Sequence, residues 1–499
     1  MSVHQIAARG KNAAAWSVAG SIGKVLGQLI VQITLVRLLD PHAVGAIAAM
    51  STVTALSALV MDGGIGAGLI FKQKLNESDI QFAYTRTFVL GALVGVLIMS
   101  VAPVLAGYFG DNTLEPMFIV CGVLVITQGP MNIALSLLRR NLDYRQIHLI
   151  HLVAYIPVYG GIAILLALLG WGAWSFLAGY FLQSIFTFAA ASITCKFNQL
   201  RFRGDRELVR FGLKSMATDI STWSMETLDS LLVGRLVGLH SLGLYTVAMN
   251  LCRAPTAIIG YALQNILFST TSRLQDEQGI VRNGYLLVLN ATSLCMLPMY
   301  AIVSYNAEAV MHLIYGSKWT AAAPLFAALA VAMPMAVMGS ITAAVMRGLG
   351  AVASEMRTQL ICTTLLVVGF LSLIALPLGL VVWTVPLVYS CRLLILIAMI
   401  RRRLEIKINT LLLSLKGGII LGAVGLAVSV ITETMVGHYT STDSLIPFLV
   451  SGLVTLLFCL YRFTWLAGDR LAEAAVNSLP LGPWIPYVRW LTRDKRVWR

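Results

Sequence analysis

Apolar segments of about 20 residues recur along almost the whole length of this chain of 499 residues. Each segment is long enough to cross the hydrocarbon core of a bilayer as a helix. Because backbone inside lipid must satisfy its own hydrogen bonds, only helices and closed barrels span membranes. The chain lacks the short alternating strands of a barrel. The pattern therefore predicts an all-α integral membrane protein that crosses the bilayer many times.

We predict fourteen transmembrane helices from the positions of these apolar segments. Their predicted ranges are 13–39, 43–71, 84–109, 114–138, 147–169, 173–195, 212–238, 243–271, 284–306, 322–346, 358–378, 380–400, 411–434 and 444–465. Basic residues gather in every second connection, as at 139–145, 196–214 and 401–407. Because positive charge marks cytoplasmic loops, this pattern places both termini in the cytoplasm.

A net charge of +14 would suggest a nucleic-acid partner in a soluble protein. Here 58% of the residues are hydrophobic, and lysine and arginine gather in the loops and in the tail after Leu466. Cytoplasmic loops and anionic lipid surfaces account for such charge, so we predict no nucleic-acid partner. The seven cysteines form no metal-ligand spacing, and the chain has no phosphate-binding loop. We therefore predict neither a metal nor a cofactor.

An internal repeat divides the predicted helices. Segment 37–45 matches segment 235–243 in Arg, Leu, His and Gly at one fixed offset, and weaker matches follow in the same order. Six spans separate the copies, so both have the same orientation and form a parallel repeat of two six-helix lobes. The predicted domains are an N-lobe (1–204), a C-lobe (205–408), helices thirteen and fourteen (409–466) and a cytoplasmic basic and tryptophan-rich tail (467–499).

Polar residues follow one face of the first predicted helix, where Ser21, Lys24 and Gln28 recur at three- and four-residue spacing. A lysine inside an apolar span is costly unless it faces a wet cavity or a partner. The repeat aligns this face with a face of the seventh helix. That face carries three acids: Asp219, Glu226 and Asp229. The two faces either line a cavity between the lobes or form an ion-pair network that holds the lobes together.

We predict a substrate cavity lined by Ser21, Lys24, Gln28, Trp223 and Arg253. Arg253 precedes a kink expected at Pro255 and adds a second cation. The three acids of the seventh helix are predicted to act in coupling or gating. His148 and His151 are one turn apart without nearby acids or cysteines, and we interpret them as interfacial.

Several motifs, each loose by itself, occur in a specific order over the first twelve predicted helices. They are Lys11 to Trp16, Asp62-Gly63-Gly64-Ile65-Gly66, Asn141-Leu142-Asp143-Tyr144, Arg210-Phe211-Gly212, Gly243-Leu244-Tyr245 and Tyr315-Gly316-Ser317-Lys318-Trp319. In these motifs the chain resembles the Wzx-type flippases of lipid-linked oligosaccharides. That family lies in the multidrug/oligosaccharidyl-lipid/polysaccharide (MOP) superfamily, and the resemblance is to its colanic acid exporter branch.

The resemblance implies a two-lobe, V-shaped fold of the MATE type in a bacterial inner membrane. It implies export of an undecaprenyl-diphosphate-linked repeat unit by alternating access, with a polysaccharide polymerase and co-polymerase as partners beside the membrane lipids. The diphosphate would suit Lys24 and Arg253, and sugars would suit polar and aromatic side chains such as Trp223. A proton or a sodium ion bound to the acids would supply energy, unless downstream consumption alone drives transport.

Two other classes of protein share part of this pattern. A cation-coupled drug or small-molecule antiporter of the same superfamily is the alternative function. Those antiporters that use a carboxylate on the first helix would need an acid where this chain has Lys24. A membrane glycosyltransferase or polymerase usually needs a sizeable extramembrane loop with acids or a metal motif, and none is predicted. We therefore expect a transporter and not an enzyme.

Overall fold

The computed structural model describes residues 23–72, 75–141, 143–192, 201, 206–373, 375–436, 445–462 and 466. Within these ranges every regular element is helical, which confirms the predicted all-α fold class. Ser21 and the tail 467–499 lie outside the described residues.

The helices follow one another through short turns. In chain order they are α1 (23–38), α2 (Pro41–Asp62), α3 (Ile65–Phe71), α4 (Glu77–Phe109), α5 (Glu115–Arg140), α6 (Tyr144–Val153), α7 (Ile162–Leu168), α8 (Ala173–Ser192), α9 (Arg206–Leu236), α10 (Leu239–Arg273), α11 (Gln278–Tyr305), α12 (Ala307–Tyr315), α13 (Ala323–Gly348), α14 (Val352–Ser372), α15 (Leu378–Val381), α16 (Thr384–Arg403), α17 (Ile408–Val436) and α18 (Leu445–Tyr461). A π-helical segment, Ala154–Gly161, joins α6 to α7.

In the part of the chain that the structure describes, nine helical segments are long and apolar enough to cross a membrane. The chain is therefore a multi-pass membrane protein. Each of the fourteen predicted ranges overlaps a described helix, although the second range is interrupted between α2 and α3. The count of fourteen transmembrane helices stays a prediction.

The chain divides into two compact units, and the division falls after Val247. In the first unit α4 packs along α5, which also contacts α2 and α8, and a core forms around Ile65, Tyr84 and Ile133. In the second unit α11 packs against α13 and α17, and α13 also packs against α16. The predicted lobe boundary between residues 204 and 205 stays a prediction.

Two consecutive glycines separate α2 from α3. Gly63 and Gly64 have φ angles of +53° and +69°, in the left-handed region that disfavours other residues. The backbone N–H groups of Gly64 and Gly66 donate hydrogen bonds to the Asp62 carboxylate. Helix α9 passes so close that a Cβ on Gly64 would lie 2.1 Å from the carbonyl oxygen of Gly212. The Asp-Gly-Gly motif therefore ends α2 and makes room for α9.

Helices α2 and α10 cross at their first turns, within the first unit. A Cβ on Gly45 would lie 1.8 Å from the carbonyl oxygen of Leu239. A Cβ on Gly243 would lie 1.8 Å from the carbonyl oxygen of Pro41. The sequence repeat aligns Gly45 with Gly243 and Pro41 with Leu239. The crossing is therefore self-complementary, like a contact across a two-fold axis.

Candidate substrate site

Helix α1 packs closely against the helical stretch that begins with α6. A Cβ on Gly27 would lie 2.5 Å from Cδ1 of Ile156, and a Cβ on Gly160 would lie 2.6 Å from Cγ2 of Val31. The two contacts advance by four residues on both segments, so the segments run side by side in the same direction. Glycine at these two positions lets the helices approach, as small residues do in membrane bundles.

Both contacts involve the π-helical segment Ala154–Gly161, through Ile156 and Gly160. Pro157 is inside this segment and has no backbone N–H to donate to a helical ladder. Segments of this kind widen a helix locally and are frequent at functional sites. The segment also brings two aromatic rings into contact: the ring centroids of Tyr155 and Tyr159 are 4.9 Å apart, and the ring planes are tilted by 42°.

Lys24 lies on α1 among other basic side chains. It is partly buried and interacts electrostatically with Arg139, His148 and His151. Arg139 is in the last turn of α5, and both histidines are on α6, which packs beside α1. We call these four residues the Lys24 cluster. Because like charges repel, an anion placed among them would be stabilised by all of them at once.

One carboxylate interacts with the cluster through Arg139, and a second carboxylate interacts with the first. Asp62 interacts electrostatically with both Arg139 and Asp219. The close passage of α9 at Gly212 comes two turns before Asp219, which explains how Asp219 reaches the turn between α2 and α3. The sequence motif around Asp62 contained this carboxylate, but the sequence did not reveal that it is a neighbour of Arg139.

The three predicted acids of α9 have different surroundings. Asp219 and Glu226 are exposed, whereas Asp229 is 1% exposed. The Asp229 carboxylate accepts hydrogen bonds from the Tyr245 hydroxyl and from the backbone N–H of Ser230, both at 2.6 Å. Their shared role in coupling or gating stays a prediction, and Asp229 has in addition a structural role that the spacing did not indicate.

The remaining predicted residues fall in both units. Gln28 is partly buried on α1, one turn after Lys24, and Trp223 is partly buried on α9. The indole Nε1 of Trp223 is buried and finds no hydrogen-bond partner among the described residues. Arg253 is partly buried in the second unit, two residues before Pro255 inside α10. The cavity lining predicted for these residues stays a prediction.

The sequence profile of a family described as "Polysaccharide biosynthesis protein" matches residues 34–324. This match covers more than half of the chain. The chain belongs to this family. The matched region contains most of the candidate site of this polysaccharide biosynthesis protein, including Asp62, Arg139 and the predicted residues of α9. Lys24 and Gln28 precede the matched region.

Curated relatives of this polysaccharide biosynthesis protein concern several bacterial glycans. The succinoglycan biosynthesis transport protein ExoT of Rhizobium meliloti (strain 1021) is 24% identical, over 63% of this chain and 64% of its own length. The lipopolysaccharide biosynthesis protein WzxC of Escherichia coli (strain K12) is 22% identical, over 64% of this chain and 65% of its own. The chain thus matches less than two thirds of the length of either relative.

Solved structures with the same fold are membrane transporters. The lipid II flippase MurJ, in an inward closed conformation, aligns with a TM-score of 0.72 and 13% identity, over 89% of this chain and 98% of MurJ. An inward-facing multidrug resistance MATE family transporter of the MOP superfamily aligns with a TM-score of 0.61 and 17% identity, over 77% and 94%. The polysaccharide biosynthesis protein therefore shares the helical fold of these transporters, and both its family and its fold agree with the predicted resemblance.

The buried hydrogen bond to Asp229 gives a prediction about stability. We expect Tyr245→Phe to lower the free energy of unfolding of this polysaccharide biosynthesis protein by about 1–3 kcal/mol, because a buried carboxylate loses a donor. Tyr305→Phe is the matched control, since the Tyr305 hydroxyl donates to Glu433 at an exposed position. Thermal denaturation of the purified variants measures the difference, and equal stability of the two variants would contradict the structural role of Asp229.

Proposed function

We propose that this protein is a flippase for an undecaprenyl-diphosphate-linked oligosaccharide repeat unit, which it moves across the bacterial inner membrane by alternating access. The observation that carries the proposal is the Lys24 cluster, which places two cations and two histidines together on α1, α5 and α6. The charged diphosphate is the part of such a substrate whose transfer into hydrocarbon is most unfavourable. The functions for which the relatives are named, succinoglycan transport and lipopolysaccharide biosynthesis, support the substrate class.

Each basic group contributes to holding the diphosphate. Two unit charges about 4 Å apart attract by about 4 kcal/mol at the effective dielectric constant near a protein surface. Lys24 and Arg139 supply permanent charges, and the imidazoles of His148 and His151 supply donors when they are protonated. We propose that Gln28 and Trp223 contact the sugars and that Arg253 contacts the diphosphate during the cycle. The polyprenyl chain stays in the lipid throughout.

We propose that both termini lie in the cytoplasm, because the basic connections would then lie on the inner side. The flipped repeat unit would be consumed on the outer side by a polysaccharide polymerase with its co-polymerase. Removal of product by these partners would help to drive export even without an ion gradient.

The substrate class is tested in proteoliposomes that contain the purified protein and a fluorescent undecaprenyl-diphosphate-linked glycan in the inner leaflet. Flipping exposes the fluorophore to a quencher outside, and we expect it to require the protein. Undecaprenyl phosphate without a glycan and a cationic drug such as ethidium are run in parallel. Drug flux without glycan flipping would overturn the proposal in favour of the drug antiporter.

The acids of α9 provide a prediction about energy coupling. One charge that moves across about 100 mV supplies about 2.3 kcal/mol, enough for a concentration ratio of about 50. If a proton or sodium ion binds at the exposed acids, Asp219→Asn with Glu226→Gln should slow flipping and remove its response to an imposed gradient. Glu308→Gln is the matched control, because Glu308 is an exposed acid in the first turn of α12. A full gradient response in the double variant would rule out coupling at these acids.

A further inference from the structure

Two arginines share one carboxylate in the second unit. Oε1 of Glu355, a buried residue of α14, lies 3.5 Å from Nη1 of Arg347 and 3.5 Å from Nη2 of Arg392. Arg347 is in the last turn of α13, and Arg392 is near the middle of α16. In the described ranges these three side chains therefore form a cluster with one more positive charge than negative charge.

The guanidinium of Arg392 is incompletely satisfied. Its side chain is only 11% exposed, and its Nε is buried without a hydrogen-bond partner in the part of the chain that the structure describes. A buried donor of a charged group that lacks an acceptor is unfavourable, and an isolated charge in a low-dielectric interior is more so. An additional anionic group would accept a hydrogen bond from this Nε and would neutralise the excess positive charge of the cluster.

A glycine of α13 lies beside this guanidinium. Gly339 of α13 is buried, yet the nearest atom of another helix to a Cβ there would be Nη1 of Arg392, at 3.9 Å. Elsewhere α13 is tightly packed, since a Cβ on Gly348 would lie 2.7 Å from Cβ of Thr271. At Gly339 the guanidinium of Arg392 therefore lies at ordinary contact distance from α13, without the steric conflict seen at Gly348.

The cluster is also connected to the end of the helices. The side chain of Arg347 is 32% exposed, and Arg403 at the end of α16 donates a hydrogen bond to the carbonyl oxygen of Leu349 at 3.0 Å. The ends of α13 and α16 therefore meet beside the basic loop 401–407, which we predict to be cytoplasmic. A phosphate group at the cytoplasmic membrane surface would reach Arg347 first.

We propose that Arg392 and Arg347 bind one phosphate-type anion, beside Gly339, and that Glu355 holds both guanidiniums in position. The planar guanidinium matches phosphate oxygens with two parallel donors, and one negative charge neutralises the cluster. The anion is a phosphate group of an anionic membrane lipid or free phosphate. This site lies within the second unit and does not depend on the proposed flippase function or on the Lys24 cluster.

The test uses the purified full-length protein in detergent and measures bound lipid by native mass spectrometry. We expect phosphatidylglycerol to bind at one site about tenfold more tightly than phosphatidylcholine, or inorganic phosphate to raise the melting temperature without lipid. The first outcome identifies a lipid headgroup, and the second identifies the free anion. We expect Arg392→Gln to weaken the binding about tenfold, whereas Arg357→Gln, which removes an exposed charge from α14, leaves it unchanged.

A second variant keeps the test decisive if Arg392→Gln does not fold. Gly339→Ala retains both arginines and adds one methyl group 3.9 Å from Nη1 of Arg392, where it would compete with the anion for this donor, so it should weaken the same binding. Gly284→Ala on α11 is its control, because a Cβ there would meet nothing within 4 Å. Equal binding by wild type and every folded variant, or binding with no preference for phosphate anions, would overturn the proposal.

Discussion

Gly45→Ala is expected to stop glycan export and to destabilise the first unit. The added Cβ would lie 1.8 Å from the carbonyl oxygen of Leu239, whereas real contacts of this kind are never closer than 3.0 Å. The neighbour is backbone, so it has no rotamer with which to avoid the methyl group. Helices α2 and α10 would have to separate by more than an ångström, and overpacking of this kind typically costs about 1–3 kcal/mol.

Gly107→Ala is the matched control for Gly45→Ala. Gly107 also lies in a helix of the first unit, on α4, but a Cβ there would meet nothing within 4 Å. Export is measured as surface polysaccharide, and stability as the melting temperature of the purified protein. Gly243→Ala should reproduce the effect of Gly45→Ala because the contact is reciprocal, and the double variant should be less harmful than the sum of both. Normal export and stability in Gly45→Ala would show that the close contact between α2 and α10 is not required for function or folding.

Lys24→Ala is expected to reduce flipping at least about tenfold while the protein reaches its normal level in the membrane. Lysine inside a span costs about 2.5–3.5 kcal/mol on insertion scales, so its removal should not impair folding. Its loss leaves the diphosphate with Arg139 as the permanent charge of the cluster. Lys24→Arg keeps the charge but changes the donor geometry, so we expect intermediate activity.

The controls for Lys24→Ala separate charge from position. Lys407→Ala removes an exposed lysine from the loop before α17 and should leave flipping unchanged. His151→Ala should have a smaller effect than Lys24→Ala, because His151 contributes a donor and no permanent charge at neutral pH. The reconstituted flipping assay measures all three variants. Near-normal flipping by Lys24→Ala would remove the diphosphate role of this residue and would leave the site in the second unit unaffected.

Apolar length was sufficient to predict where helices form, because membrane spans depend mainly on local composition. It could not predict interruptions that depend on backbone geometry. The break between α2 and α3 occurs at Gly63 and Gly64, which the sequence displays, but the sequence does not show that α9 passes close to this turn. The π-helical segment at Ala154–Gly161 leaves no mark on the hydrophobic pattern, and the short helix α12 lies in a stretch that we predicted to be a connection.

The candidate site was predictable in part. Lys24 was identified because a charge in an apolar span has few structural explanations. Its neighbours Arg139, His148 and His151 are distant in sequence and were assigned to a basic loop and to the membrane interface. Helical spacing placed Asp229 on one face with Asp219 and Glu226. The Tyr245 hydroxyl, which donates a hydrogen bond to the Asp229 carboxylate, comes from another helix. Contacts of this kind are tertiary, and a single sequence does not contain them in readable form.

The crossing of α2 and α10 also bears on the origin of the chain. Gly45 meets Leu239 and Gly243 meets Pro41, so the two matching segments, 37–45 and 235–243, present corresponding residues to each other. If the predicted repeat arose by duplication, a half-length ancestor would have formed this contact with a second copy of itself, as an isologous homodimer. In such a dimer one substitution changes both sides together. Fusion of the two copies lets each side change alone, and the flanking residues have diverged, with Asp40 aligned to Gly238 and Ala43 to Ser241, whereas both glycines are present.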